Sequence, residues 1–146
     1  MSDLSSPSFQ LPPNTFQLPV RIYIEDTDAG GIVYYVNYLK FIERSRTELL
    51  RALGYGKTAI LENGLLLVVH SLDAQYLAPA RLDDEVIATA AVIKIARSYV
   101  VFKQSVIRGD KVLFTATAKI ACVNSNMKPC ALPATIKASL ESYLVI

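Results

Sequence analysis

One stretch of this chain repeats its apolar residues at helical spacing over roughly four turns, and that limits what the remainder can build. Between Tyr38 and Leu53, the residues Leu39, Ile42, Leu49, Leu50 and Leu53 share a stripe while Lys40, Arg44, Thr47, Glu48 and Arg51 face away. Arg44 and Glu48, four apart, have the spacing of a weak ion pair. Gly54 occupies the C′ position that ends helices, and Asn37 stands where its side-chain oxygen can cap a first-turn amide. The rest alternates with the period of strands. Phe16 to Ile24, Asp84 to Ile95, Tyr99 to Arg108 and Lys111 to Val123 have that pattern, with Gly109-Asp110 as a two-residue hairpin turn. Leu65 to Tyr76 opens on a continuous apolar run, which predicts a central strand buried on both faces. Lys57 to Glu62 predicts a short helical turn closed by Asn63-Gly64, and Ala134 to Leu144 a short helix after Pro133. A strand, one long helix and four strands give an α+β domain with an antiparallel sheet around the helix.

A 146-residue chain with 52% hydrophobic residues fills one domain, expected over residues 16–146 behind a flexible, Pro- and Ser-rich segment 1–15. That segment lacks the apolar core of a signal peptide. A net charge of +2 gives no bulk case for nucleic acid or for a membrane surface, and no apolar run reaches the ~20 residues of a membrane span. Cys122 and Cys130 are too few for a disulfide framework or a zinc site and predict reduced thiols in the cytoplasm.

The chemistry is expected just before the helix, in Glu25-Asp26-Thr27-Asp28-Ala29-Gly30-Gly31. Three carboxylates in four positions repel one another, so crowding them before a buried helix has no structural return. Glycines let the backbone approach a ligand, and a helix beginning after them offers unpaired N–H groups at a positive dipole end. Such a combination suits a reaction in which an oxyanion develops beside a base or nucleophile. A solvated acidic turn before an ordinary helix start is the competing reading. For Asp28, the structural alternative is an Asx turn bonding its own backbone. Glu25 and Asp26 are expected to shape the loop or to pair with Arg21 or Arg46.

The wording of this stretch shifts the balance toward the functional reading. Val20-Arg21-Ile22-Tyr23, then Glu25 to Gly31 and Tyr38-Leu39-Lys40-Phe41, closely resemble the hot-dog-fold acyl-CoA thioesterases of the 4-hydroxybenzoyl-CoA thioesterase-like group. The likeness is greatest to the branch encoded with the bacterial Tol–Pal envelope system. Tyr76 to Asp84, Met127-Lys128-Pro129 and Ala131-Leu132-Pro133 continue it in order. One departure stands out: that branch tends to carry His where this chain has Tyr35, and Tyr is closer to the hydroxybenzoyl branch. The resemblance implies a hot-dog fold, Asp28 as the catalytic carboxylate, and the Tyr35 backbone N–H as donor to the thioester carbonyl. Its substrate would be acyl-CoA or an acylated carrier protein, and the chain a dimer or tetramer. Gly31, Tyr34, Asn37 and Tyr38 would line the acyl site. Arg97, Ser98 and Lys128 lie in the turns near which the family binds coenzyme A.

Nothing else in the chain competes. His70 is the only histidine and has no serine or cysteine placed for a triad. No metal-ligand spacing or phosphate loop occurs. A carboxylate mechanism without metal or cofactor is expected. The rivals are a hot-dog 3-hydroxyacyl dehydratase, which would need His70 beside the acidic loop, and a non-catalytic acyl-CoA-binding module, which would have no use for Asp28.

Overall fold

The computed structural model describes residues 11–55 and 64–144. In chain order the elements are β1 (Phe16–Arg21), α1 (Val36–Ala52), β2 (Leu66–Tyr76), β3 (Glu85–Ile95), β4 (Tyr99–Arg108), β5 (Lys111–Val123) and α2 (Ala134–Glu141). The five strands form one sheet in the order β1-β3-β4-β5-β2, antiparallel throughout. Gly109 at φ +61° closes the β4–β5 hairpin, where a side chain with a Cβ would be strained. The predicted turn from Lys57 to Asn63 lies outside the described residues.

The strand predicted to run to Ile24 stops at Arg21, and Ile24–Asp26 form a single 3-10 turn with Ile24 exposed. Ile22 is the last residue of that alternation to enter the core; its N–H donates to the Asp84 carbonyl at 2.9 Å. On α1 the buried face is turned from the predicted stripe. Tyr38, Phe41, Ile42, Ser45, Leu49 and Leu50 are buried, whereas Leu39 and Leu53 are only half covered. A serine sits in that face because buried Gln104 reaches across from β4 to bond it. Glu48 pairs with Arg51 at 3.2 Å, and Arg44 lies over the Phe41 ring instead of pairing with Glu48. The core has two lobes along α1: Tyr38, Phe41 and Phe114 near its start, and Leu49, Leu50, Phe102 and Leu140 near its end.

The expectation for β2 fails. It is an edge strand bonded only to β5, with Val69 53% and Leu72 37% exposed. Its apolar run is therefore not the signature of a central strand in this chain. The register shifts between Val69 and Ser71, leaving His70 as an extra, exposed residue of the edge.

Candidate active site

The acidic stretch folds as a three-residue hairpin loop. The Asp28 N–H donates to the Ile32 carbonyl at 2.9 Å and the Gly31 N–H to the Asp28 carbonyl at 3.1 Å. Gly31 stands at φ +78°, the left-handed conformation such loops require at their last position. Asp28 does form the Asx turn, its Oδ1 accepting the Gly30 N–H at 2.8 Å, and it remains exposed. That bond fixes the direction of the carboxylate without burying it. A Cβ on Gly30 would come within 3.3 Å of the same oxygen.

The neighbouring Asp26 has other work. Asp26 Oδ2 accepts the Tyr23 N–H at 2.9 Å and holds the 3-10 turn. Neither expected arginine reaches the loop: Arg21 pairs with Glu85 at 3.3 Å, and Arg46 donates to Gln104 at 2.8 Å. The Asp26 carbonyl receives the Tyr34 N–H and the Asn37 side-chain amide, both at 2.9 Å. One oxygen thereby laces the loop to the start of α1. Asn37 is not the cap predicted for it. Tyr35 holds the cap position, and Asn37, buried one residue inside the helix, faces back to the loop. Among the described residues the Tyr35 and Val36 amides meet no acceptor, so the helix presents them at its positive end.

The predicted tyrosines separate. Tyr34 and Tyr35 are exposed and touch, ring centroids 5.0 Å apart. Tyr38 is buried and stacks on Phe114 at 5.2 Å, while its Oη accepts the Ala80 N–H at 2.8 Å. Burial raises its pKa, so the hydroxyl stays neutral and structural. Tyr76 takes the place expected of Tyr38. At the end of β2, half exposed, it meets Tyr35 edge-on at 6.0 Å and Phe114 at 5.0 Å. In the sequence the one signal for Tyr76 is an aromatic closing a strand just before Leu77-Ala78-Pro79.

Asp84 supports the loop from below. Its Oδ2 accepts the Arg81 N–H at 2.9 Å and Arg108 at 2.7 Å, and Arg81 in turn bridges to Ile32. Burial would raise its pKa, but the Arg81 amide and the Arg108 guanidinium outweigh it and hold the carboxyl below its ordinary 3.8. A depressed folded pKa means stabilisation complete above the unfolded value and lost as pH falls through the folded one. Asp84→Asn is therefore expected to cost about 1–2 kcal/mol at pH 7 by urea unfolding. The difference from wild type should shrink below pH ~4; a constant difference down to pH 2 would refute the ion-pair account.

Arg97, Ser98 and Lys128 lie elsewhere. The Leu132 N–H donates to the Arg97 carbonyl and the Cys122 N–H to the Ser98 carbonyl, each at 2.8 Å, and the Lys128 carbonyl accepts from Asn124. These turns adjoin one another at the β3–β4 connection and beyond the end of β5. Asp28 and Tyr35 lie by Tyr76, Asp84 and Arg81, at the other end of the strands. A ten-residue β4 puts about 33 Å between the two ends. Within one chain the basic turns and the carboxylate do not meet.

A five-stranded antiparallel sheet with a long helix is the hot-dog architecture, and the exposed Asp28 sits on the loop that the Asp26 carbonyl laces to the helix start. The model of the Thioesterase superfamily matches residues 30–115, starting two residues after Asp28. The acyl-CoA thioesterase YbgC of Haemophilus influenzae is 43% identical over 130 residues, 88% of this chain and 96% of that protein. The acyl-CoA thioester hydrolase YbgC of Escherichia coli O6:H1 is 38% identical over 86% of this chain and 96% of its own. Among solved structures, a 1,4-dihydroxy-2-naphthoyl-CoA thioesterase from Synechocystis superimposes with TM-score 0.80 at 18% identity, covering 86% of this chain and 95% of that one. The chain belongs to the thioesterase superfamily and is a thioester hydrolase.

Proposed function

We propose that the chain hydrolyses acyl-CoA to the free acid and coenzyme A at the start of α1, with Asp28 as the catalytic carboxylate. The observation that carries this is the pairing of an oriented, exposed Asp28 with the open Tyr35 and Val36 amides, linked through the Asp26 carbonyl. The amides are donors for a thioester oxygen that becomes an oxyanion. Asp28 either attacks the carbonyl carbon, expelling the coenzyme A thiolate and leaving a mixed anhydride for water to open, or takes a proton from water attacking that carbon. Thiol release from a series of acyl-CoAs, with Asp28→Asn as control, tests the reading. Release that persists unchanged in that variant would overturn it. Both cysteines are free thiols, which suits a reducing cytoplasm.

The acyl group is short or aromatic. Tyr34, Tyr35 and Tyr76 make an exposed aromatic shelf beside the helix start, against which a flat acyl ring has edge-to-face contacts. Tyr76→Ala should lower kcat/KM for benzoyl-CoA by about 3- to 10-fold relative to butyryl-CoA. Equal losses for both substrates would mean the shelf does not select.

Two chains complete one site. If the unpaired edge of β2 joins its counterpart about a two-fold axis, the sheet continues antiparallel and Val69 and Leu72 are covered. That operation carries the Arg97, Ser98 and Lys128 turns of one copy toward the Asp28 end of the other, where guanidinium and ammonium groups suit coenzyme A phosphates.

A further inference from the structure

At the Asp28 end three short stretches lie edge to edge. Thr27 bridges to Val33 and Ile32 to Arg81, both antiparallel, and the Asp28 and Val33 amides donate to the Ile32 and Ala80 carbonyls at 2.9 Å. Residues opposite one another in such pairing put their side chains on one face, and the next pair on the other. Val33 and Ala80 take the inner face and are buried. Asp28, Ile32 and Arg81 therefore share the outer face, Ile32 half-buried in the middle and both ends exposed. Tyr34, exposed and two positions after Ile32, borders the same face. The row ends in a carboxylate on one side and an unmatched cation on the other. Arg21 is committed to Glu85 at 3.3 Å and to the Asp83 carbonyl at 2.7 Å, and Arg108 to Asp84 at 2.7 Å. Among the described residues the Arg81 guanidinium has neither a hydrogen bond nor an ion pair, and it acts on Asp84 only through space. Its backbone is fixed, the N–H donating to Asp84 Oδ2 at 2.9 Å and the carbonyl accepting the Asp84 N–H at 3.1 Å.

Two strand spacings put the Cα atoms of Asp28 and Arg81 about 10 Å apart, with both side chains standing off the same face. A thioester carbon within reach of Asp28 takes up about 3 Å of that span, and a carboxylate bonded to a guanidinium about 3 Å more. About 4 Å remains over Ile32, room for roughly two or three methylenes. We infer that Arg81 is a specificity residue and that the acyl group it selects carries a carboxylate at its far end. The thioester lies at Asp28, the methylenes over Ile32 and the carboxylate on the planar fork, which can bond both oxygens. This rests on Asp28 as the catalytic carboxylate and narrows the short acyl group proposed above. The substrate carboxylate stands about 7 Å from Asp28 and in contact with Arg81, so attraction outweighs repulsion. Arg81 lies in the connection between β2 and β3, which the pairing of two chains through β2 does not use.

Thiol release from glutaryl-CoA and valeryl-CoA, equal in carbon number and differing in the terminal carboxylate, tests the inference. Wild-type protein is expected to show a kcat/KM at least about tenfold higher for glutaryl-CoA. Arg81→Met keeps the apolar stem and the backbone bonds to Asp84, and should lower the glutaryl-to-valeryl ratio by about 10- to 100-fold. Arg81→Lys, a point charge without the fork, should fall between the two. The ratio is taken within one enzyme, so a folding defect common to both substrates cancels. Asp28→Asn should lower both rates alike. If it does not, the assignment of Asp28 fails, and the ratio in Arg81→Met still decides what Arg81 does. Wild-type protein that prefers valeryl-CoA, or a ratio in Arg81→Met equal to that of wild type, would overturn the inference.

Discussion

Asp28→Asn is expected to lower kcat by at least about 10²-fold while leaving KM within a few-fold of wild type. The amide has nearly the shape of the carboxylate and its remaining oxygen can accept the Gly30 N–H, so the loop keeps its Asx turn. Nucleophilicity and basicity are what is removed. In the proposed site, substrate binding rests on other groups, the Tyr35 and Val36 amides and the basic turns, and should survive. Asp26→Asn is the internal control. Asp26 holds the 3-10 turn by accepting the Tyr23 N–H, and an amide oxygen can do the same. It should cost far less. Two results would show that the wrong carboxylate has been chosen: more than about a tenth of wild-type activity in Asp28→Asn, set against the 10²-fold expectation, or a larger loss in Asp26→Asn.

Two inactive variants are expected to rescue each other. If each site takes Asp28 from one copy and the basic turns from the other, a chain with Asp28→Asn and a chain with Arg97→Ala and Lys128→Ala fail alone for different reasons. A mixed dimer of the two has one site with both defects and one site with neither. Random mixing puts half the chains into mixed dimers, each with one intact site of two, so about a quarter of wild-type activity should return. Sedimentation equilibrium must show a mass of at least twice 16.1 kDa for the scheme to operate. Additive activities after refolding the variants together would mean each chain builds its own site. A monomer at micromolar concentration would exclude the pairing through β2 altogether.

The local spacing of residues was enough to place the helix, all five strands and the hairpin at Gly109-Asp110. These depend on interactions within a few residues: an apolar stripe at period 3.6, alternation at period 2, and a residue that tolerates positive φ. The wording from Glu25 to Gly31 and from Tyr76 to Asp84 likewise carried the family. Other features were decided only when distant segments met. β2 reads as a buried central strand because apolar composition records burial without saying what does the burying; in this chain the sheet order leaves it at an edge. Asn37 reads as a cap, yet a carbonyl eleven residues earlier claims its side chain. Tyr38, expected at the acyl site, is instead buried because Phe114, on β5, stacks with it, and Tyr76, for which the spacing predicts no role, stands half exposed beside Tyr35. Ser45 interrupts an otherwise apolar helix face for a reason 59 residues away, the buried Gln104 amide that also holds Arg46. Sequence spacing determines what a segment can become; which face it buries, and which of its polar atoms remain available for chemistry, follows from partners that only the folded chain brings within bonding distance.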